Sequence, residues 1–115
     1  MQLLTSTKFS KLNLDDLEDQ IISLSARINA SEYEFLVLLR EFDLRQGWKA
    51  SGCLDCAAWM NFRCGIVAST AREKIRTARA LMTLPRISNS FAEGKLSYSN
   101  VRALTRVATP DNEQG

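Results

Sequence analysis

Residues 13–47 read NLDDLEDQIISLSARINASEYEFLVLLREFDLRQG, and this stretch decides the fold. Leu17, Ile21, Leu24, Ile28, Phe35, Leu38 and Phe42 recur at spacings of three and four, with Ser31 filling one slot. That period matches one face of an α-helix and no strand. Asn13 is a natural N-cap, and Asp15, Asp16, Glu18 and Asp19 sit where the positive end of the helix dipole favours carboxylates. Gly47 is the expected stop. The element approaches 30 residues, or about 45 Å at 1.5 Å per residue. Ser31-Glu32-Tyr33-Glu34 resembles a capping box and permits a break into two helices. The apolar spacing keeps its phase across it, so one helix is expected.

Shorter helices follow. Residues 46–53 form a loop with two glycines, a helix is expected from about Leu54 to Cys64, and Gly65 ends it. Thr70-Ala71-Arg72-Glu73 reads as a capping box opening a helix to about Thr83, with Ala71, Ile75, Ala78 and Met82 inward. Pro85 suits the first turn of the next helix, which ends near Gly94. Ser97 caps a last helix to about Ala108, with Val101, Leu104 and Val107 inward, and Thr109-Pro110 stops it. The expected fold is all-α: a long N-terminal helix packed on four shorter helices that form two helix-turn-helix-like units. Residues 1–12 are expected as a flexible arm and 13–115 as one helical domain.

Composition narrows the chemistry. The 115 residues carry a formal charge of +2 and no histidine. This excludes from the chain Ser-His-Asp and Cys-His nucleophiles, His-ligated zinc and His acid–base catalysis. Cys53 and Cys56 form a C-x-x-C with Cys64 as a third thiol, but there is no second pair and no βαβ context for a redox motif. Small buried thiols are the better account, and Trp48 and Trp59 are expected in the core. No catalytic constellation, metal site, cofactor site or small-molecule substrate is expected. The longest uninterrupted apolar run, residues 35–39, is far short of a membrane span, and a cytoplasmic setting is expected.

Charge is unevenly distributed. Residues 63–109 hold nine cations against only Glu73 and Glu93, whereas residues 1–62 are net acidic. A segment so biased favours polyanions at short range. Arg72, Arg76 and Arg79 fall at i, i+4 and i+7, within about 60° of a helical wheel. Guanidiniums on one stripe can bridge phosphates or read guanine edges. Glu73 is expected on another face, where it answers them poorly. Arg102 and Arg106 repeat the four-residue spacing, and Lys95 lies in a turn. These six are the candidate nucleic-acid contacts. The competing reading pairs them with carboxylates of the acidic first helix.

The order Gly47-Trp48, Ala57-Ala58-Trp59-Met60, Gly65, Ala71-Arg72-Glu73-Lys74-Ile75-Arg76-Thr77-Ala78-Arg79-Ala80-Leu81, Leu84-Pro85, Gly94-Lys95-Leu96-Ser97-Tyr98, Val101-Arg102-Ala103-Leu104 and Ala108-Thr109-Pro110 resembles the DUF222 domain, also called the 13E12 repeat family. The resemblance covers roughly residues 15–113. It implies a bacterial parent architecture in which further helices and an HNH endonuclease module follow this region. An HNH centre needs histidine, so the resemblance implies an accessory helical region here, incomplete at its C-terminus and not catalytic. The stretch from Leu84-Pro85 to Leu104 also looks locally like the helix-turn-helix of ParB-type partition proteins. The expected function is therefore a non-catalytic DNA-binding or targeting domain of an HNH-endonuclease-type protein. The alternative is a protein-interaction module, with a homodimer through residues 14–45.

Overall fold

A computed structural model describes residues 9–113. The order is α1 (Leu14–Leu44), a 3-10 turn (Gly47–Ser51), α2 (Cys56–Cys64), α3 (Ala68–Ala80), a 3-10 turn (Leu81–Thr83), α4 (Pro85–Ala92) and α5 (Tyr98–Leu104), with no strand among the described residues. α1 contacts α3, α4 and α5, and α3 also packs on α2. The expected arm falls largely on residues 1–8, outside the described residues. Phe9 and Ser10 are helical, and the Leu12 N–H donates to the Phe9 carbonyl at 3.1 Å. None of the helices formed by the described residues is long and apolar enough to cross a membrane.

α1 runs unbroken through Ser31, as its apolar phase requires. Asn13 Oδ1 accepts from the Asp16 N–H at 2.8 Å. Its other end differs from expectation. Gln46, not Gly47, takes the left-handed conformation at φ 55°. Gly47 serves packing instead, because a Cβ there would overlap the Phe42 ring.

The core face of α1 is also shifted. Leu36, Leu39 and Asp43 are buried, Phe35 and Phe42 are half-buried, and Leu38 points to water. The domain packs beside the sequence stripe rather than on it. Phe42 and Phe35 are the points where the two faces meet, and Trp59 stacks on Phe42 with ring centroids 4.3 Å apart. Trp48 and Trp59 both lie half-buried against the core, where they are expected.

The turns explain the remaining boundaries. Asp55 caps α2 by accepting from the Ala58 N–H at 2.8 Å, so the helix starts at Cys56 rather than Leu54. Gly65 ends it at φ 68°, and Asn61 Nδ2 ties the turn to the Ile66 carbonyl at 3.1 Å. The chain re-enters helix at Ala68, two residues before the expected capping box. Val67 is the N-cap and offers no side-chain acceptor. Leu81, in the 3-10 turn after α3, is buried in place of the exposed Met82. Ser97 and Asn100 form a reciprocal capping box on α5. α5 stops at Leu104, where the Thr105 hydroxyl donates to the Arg102 carbonyl at 3.0 Å, a local bond that competes with the helix ladder. Val107, expected inward, is exposed.

Candidate nucleic-acid interface

α3 is the helix that places the candidate cations. Ala71, Ile75, Thr77 and Ala78 are buried, and three links clamp the helix onto α1. Lys74 pairs with Glu32 and lies 3.9 Å from the Tyr98 ring centroid. Arg40 donates to the Ala78 carbonyl at 2.9 Å. Arg79 pairs with the buried carboxylate of Asp43. With those sides taken, Ser69, Arg72, Arg76 and Arg79 lie along the outer strip of α3, of which Arg76 is half-buried and the rest exposed.

On one side of that strip, three arginines converge on one oxygen. Arg76, Arg102 and Arg106 reach Glu73 Oε1 at 2.7, 3.2 and 2.8 Å. The Arg76 guanidinium also donates to the Arg102 carbonyl at 3.2 Å and the Thr105 hydroxyl at 3.3 Å, which joins α3 to α5. Glu73 is thus the hub of the cluster, against the expectation that it answers the arginines poorly. A Glu three residues before an Arg lies on an adjoining helix position, and α5 with the turn after it brings Arg102 and Arg106 to it. The Arg76 hydrogen bond and the charges of Arg76, Arg106 and Arg102 hold the Glu73 carboxyl below its ordinary pKa.

On the other side, Arg72, Arg76 and Arg79 line a cleft of about 360 Å³ with Asp43, Asp55, Cys56, Ala57 and Ile75. Arg72 is the one candidate with no ion pair or hydrogen bond among the described residues. Burial, then Asp43 and Asp55, push the Cys56 thiol up to about 11, so it stays protonated at neutral pH. Lys95 stands apart, in the turn after α4, 3.4 Å from Glu93. Among the described residues, no three His, Cys, Asp or Glu side chains gather as metal ligands would.

The six candidates therefore divide. Arg76, Arg102 and Arg106 form one cluster, Arg72 and Arg79 flank it, and Lys95 is separate. Arg79 follows the intramolecular reading, since Asp43 is buried and needs it. Exposure does not separate Arg79, whose side chain is 59% exposed, from Arg102 and Arg106 at 49% and 53%; what separates them is that Glu73 keeps Arg76 as a partner when they leave it. Fully exposed ion pairs contribute only about 0–1 kcal/mol; these two are wet on the arginine side, while Glu73 itself is 19% exposed. Among the described residues, these five guanidiniums (Arg72, Arg76, Arg79, Arg102, Arg106) pair with Glu73 and Asp43, and Asp55 also lines their cleft.

The lowered Glu73 pKa has a testable consequence. A carboxylate whose folded pKa lies below its unfolded value of about 4.3 stabilises the fold fully above that value. The stabilisation disappears as pH falls through the carboxylate range towards the folded pKa. Glu73→Gln should lower the melting temperature at pH 7, where it leaves three guanidiniums facing one another. The gap from wild type should close as melts are repeated towards acid. A gap independent of pH would separate Glu73 from this network.

A family model described as "Domain of unknown function (DUF222)" matches residues 17–110. No curated protein and no solved structure matches the chain.

Proposed function

We propose, for a chain that belongs to the DUF222 family, a non-catalytic role in holding DNA through its phosphate backbone, as the targeting part of an HNH-endonuclease-type protein. The observation that carries this reading is the excess of guanidiniums over carboxylates on the outer strip of α3 and the adjoining side of α5. Arg102 and Arg106 supply accessible charge, Arg72 adds a guanidinium with no ion pair or hydrogen bond among the described residues, and Arg76 positions the cluster from behind. Ser69, Thr70 and Ser99 border the same side, where they line a shallow polar groove with Glu73, Tyr98 and Arg102. Hydroxyls and arginines are the groups that proteins commonly present to phosphate oxygens. Base reading is a weaker fit, because Arg76 and Arg79 pair with carboxylates, which among the described residues leaves Arg72 as the one arginine of the α3 strip without a partner.

Backbone amide spectra of the intact chain, recorded while a short DNA duplex is titrated in, test the reading. Shifts should concentrate at Ser69, Arg72, Arg102 and Arg106 and their neighbours. Shifts confined to residues 14–25 of α1, or none at millimolar duplex, would overturn it.

A further inference from the structure

The N-terminal half of α1 carries an apolar stripe that the described residues leave largely open, with Phe9 bordering it at one end. Leu14, Ile21, Leu24 and Ile28 are 82%, 67%, 49% and 59% exposed. With the half-buried Leu17 they sit at spacings of three, four, three and four, a heptad seam. The domain holds a different side of the same helix. The Asn29 side chain donates to the Gly94 carbonyl at 3.2 Å, Gly94 presses against the Ala26 backbone so closely that no Cβ fits, and the Tyr33 ring meets Phe91 edge-on at 5.6 Å. At 100° per residue, the stripe lies roughly 130° around the helix from Ala26, Asn29 and Tyr33. The two sides are therefore separate surfaces. Along the stripe run two grooves that share Leu24 and Arg27, one closed at its end by Phe9 and the other reaching Phe35.

We infer that this stripe pairs with the same stripe of a second copy, antiparallel. The seam is self-complementary about a point between Ile22 and Ser23. In that register Ile21 meets Leu24 of the second copy, Leu17 meets its Ile28, and Leu14 meets its Ser31. A two-fold interface has this reciprocal form. Charge selects the direction. A parallel pair would set Asp15, Asp16, Glu18 and Asp19 beside the same four residues, with aligned helix dipoles. The antiparallel pair moves each acidic turn to the partner's far end, with Glu18 level with its Arg27. Residues 14–31 give a contact about 27 Å long, which buries on the order of 1,000 Å² in total, the threshold for specific association. The dimer is accordingly reversible. It is independent of the phosphate-binding reading, and either can fail without the other.

Sedimentation velocity of the intact chain from roughly 1 to 300 µM should show monomer converting to dimer within the range. Ile21→Glu with Leu24→Glu should stay monomeric with an unchanged melting temperature, since both residues already face water. Monomer at every concentration, or a dimer that survives both substitutions, would overturn the inference. For direction, Leu17→Cys and Ile28→Cys chains, each also carrying Cys64→Ser, are mixed and oxidised. A mixed 17–28 disulfide is expected. Only 17–17 and 28–28 products, or no cross-link, would refute the antiparallel register.

Discussion

Phe91→Ala is expected to lower the folding free energy by about 3–5 kcal/mol, a large part of the roughly 5–15 kcal/mol available to a domain. Phe91 is fully buried, the largest side chain hidden completely among the described residues. It stands at the end of α4, between α1 and the turn that leads to α5. The ring meets Tyr33 of α1 edge-on, at an interplanar angle of 78°. Truncation removes both the transfer of the ring out of water and its contacts with neighbours. The surroundings cannot close over the gap, because Gly94 and Asn29 already fix the distance between α1 and the turn after α4. Urea unfolding followed by circular dichroism measures the loss. The midpoint should move far to lower urea with little change in slope. A loss under about 1 kcal/mol would mean that α4 does not pack on α1 as described.

Replacing Arg102 and Arg106 together by Ala should weaken DNA binding on the order of 10- to 100-fold, since each charge-assisted hydrogen bond contributes about 1.5–3 kcal/mol before competition from Glu73. Stability should change far less, within about 1 kcal/mol, because both side chains are half in water. That asymmetry separates a ligand-facing arginine from a structural one. Arg79 lies at the structural extreme, as the partner of a carboxylate that is itself buried. Fluorescence anisotropy with a labelled duplex gives the affinity, and a thermal melt of the same sample gives the stability. A double variant that binds as tightly as the parent, or that unfolds, would remove these two residues from the proposed interface.

The sequence made the architecture legible because its signals were local. Asn13, Gly65, Pro85 and Ser97 each act on a backbone group within a few positions, so each boundary could be read before any tertiary contact was known. The errors arose where a distant partner decides. The apolar series through Leu38 has a clear helical period, yet a period does not say which side the rest of the chain will cover. In the fold, Leu36 and Leu39 take the core and the stripe itself faces water over half its length. Thr70 and Glu73 have the spacing of a capping box, but Glu73 is drawn to three guanidiniums, two of them about 30 positions away. The six candidate cations could be picked from charge bias together with helical spacing and turn position. Their division into a shared cluster, a buried-acid partner and an isolated turn lysine could not, because it depends on where α1 and α5 place Asp43, Arg102 and Arg106.

The central claim is that Arg102 and Arg106 exchange Glu73 for DNA phosphates, joined by Arg72 of α3. The dependence of the binding constant on salt tests it most directly. Each neutralised phosphate contributes about 0.9 to the slope of log K against log salt. Measured between about 50 and 200 mM salt, the intact chain should give a slope of roughly −2 to −4, reduced in magnitude by about two in the Arg102/Arg106 double variant. An affinity that is flat in salt, or a slope untouched by removing both arginines, would contradict it.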